Sequence, residues 1–232
     1  MLTIIIPVFN EINTIEKIIN KVLAENFISK EIILVDDAST DGTKELIENK
    51  LHKMVTKVIY HKRNMGKGSA IRSAQNIVEG DYVIIQDADL EYNPEDYSKL
   101  LKPIIEGSFS VVYGSRVLGK NRYQLTNFTS IFRIFANHLL TIFSNLINNQ
   151  NLSDAHTCYK VFTSNVFKQL DLDERGFAFC PEVTTKLSNM NYQIKEVPIS
   201  YNGRDYKDGK KIKFKDAIIA VYSILKYKYF SK

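Results

Sequence analysis

Residues 2–6, 32–35, 57–60, 82–86 and 110–113 are short apolar runs rich in Ile, Val and Leu, each bounded by polar or glycine-containing stretches. Runs this short read as strands, and their nearly unbroken apolar character is that of strands buried on both faces. Between them, residues 12–25, 43–52, 69–78 and 94–105 repeat apolar positions at three- and four-residue steps, which predicts helices. Strands and helices alternating in this way predict the α/β class: a mainly parallel sheet flanked by helices on both faces.

After Gly114 the rhythm changes. Phe132, Phe135, Leu139, Ile142 and Leu146 predict an amphipathic helix over 131–147, and Ile218, Val221 and Leu225 predict a second from 214 to about 229. Both stripes are expected to pack against the core. Neither is a membrane span, because Arg133, Asn137, His138 and Asn145 interrupt the longer one. No repeat, low-complexity tract or Pro/Gly-rich linker divides the chain, so residues 1–232 are expected to form one domain, with a nucleotide-binding layout in the first half.

The formal net charge of +5 is not evenly spread. Residues 203–232 carry a net +6, and everything before them nets −1. Such a tail suits an anionic lipid surface, a phosphorylated substrate or nucleic acid, and is equally the solvated face of a helix. Two cysteines, Cys158 and Cys180, without a CxxC spacing or a secretory leader, are expected as free packing thiols in a reducing compartment. The four histidines are scattered and read as surface or internally satisfied groups.

The strand tips carry the chemistry. Asp36 and Asp37 end the second run, and Asp87 and Asp89 end the fourth. An open α/β sheet puts its ligand site at that edge. Either pair alone is as well explained as a turn or a helix cap. Together, in this order, they point to a divalent cation carrying a diphosphate. Asp87 and Asp89 share one side of an extended segment, and Glu91 can join them, so up to three carboxylates are expected to converge on one Mg²⁺ or Mn²⁺. Pro7-Val8-Phe9-Asn10-Glu11 follows the first strand, where ribose and base contacts belong. Asn64-Met65-Gly66-Lys67-Gly68 opens a helix, where backbone N–H groups and a lysine favour an anion. Asp41 in Asp41-Gly42 is expected to be structural.

The succession Pro-Val-Phe-Asn-Glu, Val-Asp-Asp-Ala-Ser-Thr-Asp-Gly-Thr, Asn-Met-Gly-Lys-Gly, Asp-Ala-Asp-Leu-Glu and Gly114-Ser115-Arg116 resembles the inverting glycosyltransferases with the A-type nucleotide-sugar-binding fold. More narrowly, the chain looks like the dolichyl- or polyprenyl-phosphate mannosyl- and glucosyltransferases, through the segment 154–162, Phe179-Cys180-Pro181-Glu182, the segment 196–201, Arg204 and the segment 209–212. The resemblance implies a nucleotide-sugar-binding half at 1–116 and an acceptor-binding half at 117–232 that ends in a basic amphipathic helix. It implies that Pro7, Phe9, Glu11, Asp36 and Asp37 hold the nucleoside, with Lys67 and Ala88 also at the donor. Asp87, Asp89 and Glu91 would ligate the metal and diphosphate. Arg116, Arg133, Arg204 and Lys210 would meet phosphates of donor or acceptor, and Asp89, Asp154, Arg116 and Arg204 would form the catalytic set. The donor implied is GDP-mannose or UDP-glucose, and the acceptor a polyprenyl or dolichyl phosphate.

A phosphate monoester acceptor is mostly dianionic at neutral pH, since its second pKa is about 6, so it needs no strong general base. It needs positive charge, which arginines supply in bidentate geometry. Asp154 is a base only for the rival acceptor, a hydroxyl of a soluble or lipid-linked glycan. Two further rivals are a sugar nucleotidyltransferase, which would carry a glycine-rich, Arg-containing loop after its first strand, and a non-enzymatic membrane or nucleic-acid adaptor built on the basic tail. With no spanning helix expected, the protein is read as cytoplasmic. It would meet its lipid at the membrane's inner face, through an amphipathic surface or a separate membrane subunit, and no nucleic acid is expected.

Overall fold

The structure, a computed structural model, describes residues 1–119, 128–203 and 214–230, without the side chains of 128–133 and 214. Strands Leu2–Val8 (β1), Lys30–Asp36 (β2), Lys57–Tyr60 (β3), Tyr82–Ile85 (β4), Val111–Ser115 (β5), Lys160–Thr163 (β6) and Ile194–Pro198 (β7) form a seven-stranded sheet in the order β3-β2-β1-β4-β6-β5-β7. Every pairing is parallel except those of β6, which runs antiparallel to β4 and β5.

Alternation along the central strands explains why they are apolar at nearly every position. Ile4, Ile6, Ile32 and Leu34 enter one core, which Ile15, Ile18, Ile19 and Val22 of helix Ile15–Ala24 (α1) complete. Ile5, Ile33 and Val35 enter the other, beneath Ala70, Ile71 and Ala74 of a helix at Lys67–Gln75. Each of these Ile or Leu side chains contributes roughly 1.5–3 kcal/mol by leaving water. Helix Thr43–Asn49 (α2) precedes β3, so the Lys67–Gln75 helix is α3. Tyr97–Ile105 (α4) joins the α1 side; Ser164–Gln169 (α6) and Phe179–Asn189 (α7) join the α3 side. Phe128–Asn148 (α5) and Phe214–Leu225 (α8) pack on each other and on α7.

The α/β class and mainly parallel sheet are as the sequence predicts. Helix starts differ for local reasons. The α1 helix begins three residues later than its periodicity suggests, because Thr14 and Ile15 N–H groups both turn back to the Glu11 carbonyl. One expectation is overturned for α5 and only in part for α8: Phe135, Leu139, Ile142 and Leu146 on α5 are between 47 and 78% exposed, whereas on α8 Ile218 and Tyr222 are exposed, Val221 and Leu225 are half-buried and Ile224 is buried. The α5 face turned inward is polar, with Thr141, Ser144 and Asn148 buried, and Asn148 donating to Thr185 of α7 at 3.1 Å.

The loop after α6 lies directly on the start of α3. A Cβ on Gly68 would fall 2.2 Å from the Glu174 carbonyl oxygen, and one on Gly66, which sits at φ +92°, 2.4 Å from that of Arg175. The variant Gly68→Ala is therefore expected to lose roughly 1–3 kcal/mol by displacing that loop. Gly176→Ala, where a Cβ meets nothing within 4 Å, should stay within about 0.5 kcal/mol of wild type when both are measured by urea unfolding.

Candidate active site

Strand order reverses between β1 and β4, the position where an open α/β sheet leaves a crevice at the carboxyl ends of its strands. The loops leaving β1, β2 and β4 share one backbone peculiarity. Asn10, Ala38 and Leu90 have φ of 53°, 61° and 64°, left-handed values that cost roughly 1–3 kcal/mol each and gather where a structure over-determines them for function. The first two loops are laced together. Asn10 N–H donates to Ser39 Oγ at 2.9 Å, Thr40 N–H to Asn10 Oδ1 at 2.7 Å and Glu11 N–H to Thr43 Oγ1 at 3.0 Å. Asp41 is structural, as expected: it accepts from the N–H groups of Ile12 and Thr43. Glu11 accepts the Thr14 hydroxyl at 2.8 Å, and with Pro7 and Phe9 it stands at this rim.

Asp36 and Asp37 are both buried, yet they do different things. Asp36 receives the Ser39 N–H on Oδ2, while its buried Oδ1 has no partner among the described residues. A buried acceptor left unsatisfied costs about 1–3 kcal/mol, so this oxygen is suited to a ligand donor such as a hydroxyl or base N–H. Asp37 uses both oxygens internally: Oδ1 takes Met65 N–H at 2.8 Å and His61 Nδ1 at 2.7 Å, and Oδ2 takes Gly66 N–H at 2.7 Å. Of the N–H groups expected to bind a donor anion at the 64–68 loop, those of Met65 and Gly66 are filled by Asp37, and Ser69 N–H is filled by the Arg175 carbonyl, so at these positions the anion is the protein's own.

The loop delivers Lys67 to Asp87, where Nζ pairs with Oδ1 and also contacts Cys158 Sγ at 3.1 Å. Burial opposes charge on both groups. The pairing outweighs it, holding the Lys67 ammonium well above its ordinary pKa and the Asp87 carboxyl below its own. Gln86, buried at the end of β4, fixes the segment by donating to the Asp87 carbonyl and accepting the hydroxyls of Tyr97 and Tyr159, both at 2.6 Å. Ala88 is buried, and Asp89 Oδ1 accepts the Glu91 N–H at 3.1 Å, closing the turn.

Glu91 instead accepts the Tyr201 hydroxyl at 2.7 Å. No group of three His, Cys, Asp or Glu side chains among the described residues stands ready to hold a metal ion, so the expected Asp87, Asp89 and Glu91 cluster is not formed. What the rim offers is Asp87, paired with Lys67, and Asp89, carboxylates whose hard oxygens are of the kind that suits a divalent cation.

Arg116, at the end of β5, is held by Asp154 through Nε (2.7 Å) and Nη2 (2.8 Å), and its own N–H donates to the same carboxylate at 3.1 Å. Its guanidinium lies 5.1 Å from the Tyr201 ring centre, and Glu196 of β7 accepts the N–H groups of Ser153 and Asp154. Although burial works against the charge, Arg116 brings the Asp154 pKa down to about 2. Such a carboxylate is a poor general base, which corrects the hydroxyl-activating role considered for Asp154. Tyr201, Glu196, Gln86 and His61 carry no predicted role in the sequence. Only the motif segment 196–201 marked two of them, since their partners lie far away in the chain. Arg204 and Lys210 lie outside the described residues, as does the side chain of Arg133.

The model of "Glycosyl transferase family 2" matches residues 3–171. A low-salt glycan biosynthesis hexosyltransferase of Haloferax volcanii is 30% identical over 88% of this chain and 48% of its own length, so the chain spans about half of that relative. A dolichyl-phosphate beta-glucosyltransferase of Trichomonas vaginalis is 26% identical over 100% of this chain and 74% of its own. Among solved structures, glucosyl-3-phosphoglycerate synthase from Mycobacterium tuberculosis, in complex with Mn²⁺, uridine diphosphate and phosphoglyceric acid, superposes with a TM-score of 0.72 at 16% identity over 99% of this chain and 78% of that one. At that identity the likeness is one of fold.

The Arg116–Asp154 pair makes folding pH-dependent. Its carboxyl titrates at about 2 when folded and near 3.9 when unfolded, so the unfolded chain binds the proton first. The contribution is complete above about pH 4, is on the order of 2 kcal/mol, and disappears as pH falls toward 2. Denaturant unfolding between pH 6 and 2 is expected to show this loss in wild type and a smaller one in Asp154→Asn.

Proposed function

The chain belongs to glycosyl transferase family 2, and on that premise we propose that it transfers a hexose, mannose or glucose, with inversion from a nucleotide-sugar to a polyprenyl or dolichyl phosphate. The observation that carries this reading is the Asp87-Ala88-Asp89 turn at the strand-order reversal, on the same rim as the buried Asp36 oxygen that has no partner among the described residues. Residues 1–116 take the donor and 117–232 the acceptor. Pro7, Phe9, Glu11 and Asp36 line the nucleoside position, whereas Asp37 acts on it through the 64–68 loop. Asp87 and Asp89 would hold Mg²⁺ or Mn²⁺, which offsets the charge gathering on the departing nucleoside diphosphate.

An oxygen of the acceptor phosphate attacks the anomeric carbon while the bond from that carbon to the diphosphate breaks. The acceptor is already ionised, so no protein base is required. Arg133, Arg204 and Lys210 are assigned to its phosphate. Arg116, committed to Asp154, orders the backbone at 153–154. The low basicity of Asp154 favours a phosphate over a glycan hydroxyl, and the Trichomonas relative, named a dolichyl-phosphate beta-glucosyltransferase, supports the same choice.

Among the described residues no helix is long and apolar enough to cross a membrane. The outward apolar face of α5 and α8, together with the net +6 that the sequence carries over 203–232, supports peripheral seating on the cytoplasmic surface of a bilayer, with the lipid tail left in the membrane.

Two experiments test this reading. Labelled UDP-glucose and GDP-mannose are offered with dolichyl and undecaprenyl phosphate and either metal. Label should enter the organic phase, and Asp89→Ala should cut the rate by about 100-fold or more while its circular dichroism spectrum stays that of the folded wild type. Label found only in water-soluble glycan overturns the acceptor. In a second assay, Ile142→Glu with Ile218→Glu should weaken co-sedimentation with phosphatidylglycerol vesicles by about tenfold or more, each side chain having contributed roughly 1.5–3 kcal/mol of burial. Undiminished sedimentation removes the α5/α8 face from the proposal.

A further inference from the structure

Cys158 and Cys180 are the only cysteines of the chain, and the fold brings them together beside the donor site, one from the segment before β6 and one from the first turn of α7. Their thiols hydrogen-bond one another, and Cys180 Sγ lies 3.7 Å from the Thr157 carbonyl oxygen, one peptide unit from Cys158. Cys180 is buried and Cys158 half-buried. Cys158 Sγ stands 3.1 Å from Lys67 Nζ and reaches the Asp87 carboxylate, while its backbone N–H donates to the Tyr92 hydroxyl at 3.0 Å. Cysteines that only fill space sit in apolar surroundings and are inert, whereas this pair stands between two lysines, Lys67 and Lys160. The hydrogen bond with Cys158 brings the Cys180 thiol down to about 5 against the effect of burial, helped by the charges of Lys160 and Lys67. The N-terminus of α7 acts in the same direction. A thiolate in contact with a thiol is the pairing from which a disulfide forms.

We propose that Cys158 and Cys180 are a reversible modification site: a peroxide joins them as a disulfide, and the bridge draws Cys158 away from Lys67 and Asp87 and weakens the hold of the site on its donor. The effect on the donor rests on the glycosyl-transfer reading; the bridge itself does not. The Cys180 thiolate attacks one peroxide oxygen and the O–O bond breaks, leaving a sulfenic acid on Cys180 and a hydroxide that the solvent protonates. Cys158 sulfur then attacks Cys180 sulfur, the S–O bond breaks, and the departing oxygen leaves as water with the Cys158 proton. Two thiols are oxidised and one hydrogen peroxide is reduced to two waters. An S–S bond of about 2.05 Å requires the two sulfurs to draw in from hydrogen-bonding distance. The bridged Cys158 sulfur carries no proton, so Asp87 loses that partner and the Lys67–Asp87 pair loses its third member. Contacts of this supporting kind change ligand affinity by about tenfold or more. In a reducing compartment such a bridge is transient, which suits a sensor better than a staple.

The test treats the whole chain with hydrogen peroxide, alkylates what thiol remains, and maps the peptides by mass spectrometry. A peptide pair joined through Cys158 and Cys180, and released by dithiothreitol, is the expected product. Calorimetric titration with UDP or GDP in the presence of Mn²⁺ should find the joined protein binding about tenfold or more weaker than the reduced one, with dithiothreitol restoring it. Cys180→Ser should bind nucleotide as reduced wild type does and show neither the joined peptide nor the weakening by peroxide. Cys180→Ala serves if serine is not tolerated in α7. Thiols that both stay open to alkylation, or that are oxidised without a joined peptide, overturn the bridge. A joined protein that binds nucleotide as tightly as the reduced one overturns its effect on the site. If the reduced protein binds neither nucleotide, the donor reading fails and the joined peptide alone decides the modification.

Discussion

The carboxylate of Asp37 is the interaction on which the rim depends. It draws in two consecutive backbone N–H groups and the His61 ring, and so ties the tip of β2 to a loop almost thirty residues away in the chain. Charge-assisted bonds of this kind are about twice as strong as neutral ones, and three of them converge on one group. Without that anchor, the loop would have no reason to present Lys67 at the end of β4. Negative charge on one strand tip is thus used to place positive charge beside the next.

The same loop is clamped from the other side. Glu182, buried in α7, accepts the N–H groups of Asp173 and Glu174 at 2.6 and 3.0 Å, and Arg72 of α3 donates to the carbonyls of Leu172 and Asp173. The segment so ordered then rests its Glu174 and Arg175 carbonyls against Gly66 and Gly68. It also receives Lys226 and Tyr227 from the C-terminal end of the chain. A continuous set of contacts therefore runs from the Asp37 carboxylate through the 173–175 segment to Lys226 and Tyr227 just past the end of α8.

The sequence is legible where a local rule and the global fold agree. Strands such as 2–6 and 32–35 are apolar on both faces because both faces are covered, and a period-free apolar run signals that directly. The strands β6 and β7 carry no such signal. The first is four residues long, and the second is a half-exposed edge with Lys195 and Glu196 in its middle. In the site, residue types were readable but partners were not. Asp37, Glu91 and Arg116 are each recognisable as charged groups at strand tips. Only the fold decides that His61 with the 65–66 backbone, Tyr201 and Asp154 take them up, from 24, 110 and 38 residues away.

The α5 and α8 stripes show the limit from another direction. Periodicity establishes that a helix has two unlike faces, and ordinary experience of globular proteins turns the apolar one inward. Here Thr141, Ser144 and Asn148 of α5 are buried, with Ser223 of α8 beside Ala220 and Ile224, and they are matched by Thr184 and Thr185 of α7. Small polar residues let helices approach closely and exchange hydrogen bonds, as Asn148 does with Thr185 and the Ser188 hydroxyl with the Asn148 carbonyl. Burying them leaves Phe135, Leu139, Ile142, Leu146, Ile218 and Tyr222 outward, a surface with no stabilising reason to face water. A helix turned this way is stable because its polar contacts are satisfied internally, and its outward apolar face is the feature on which the proposed peripheral seating rests.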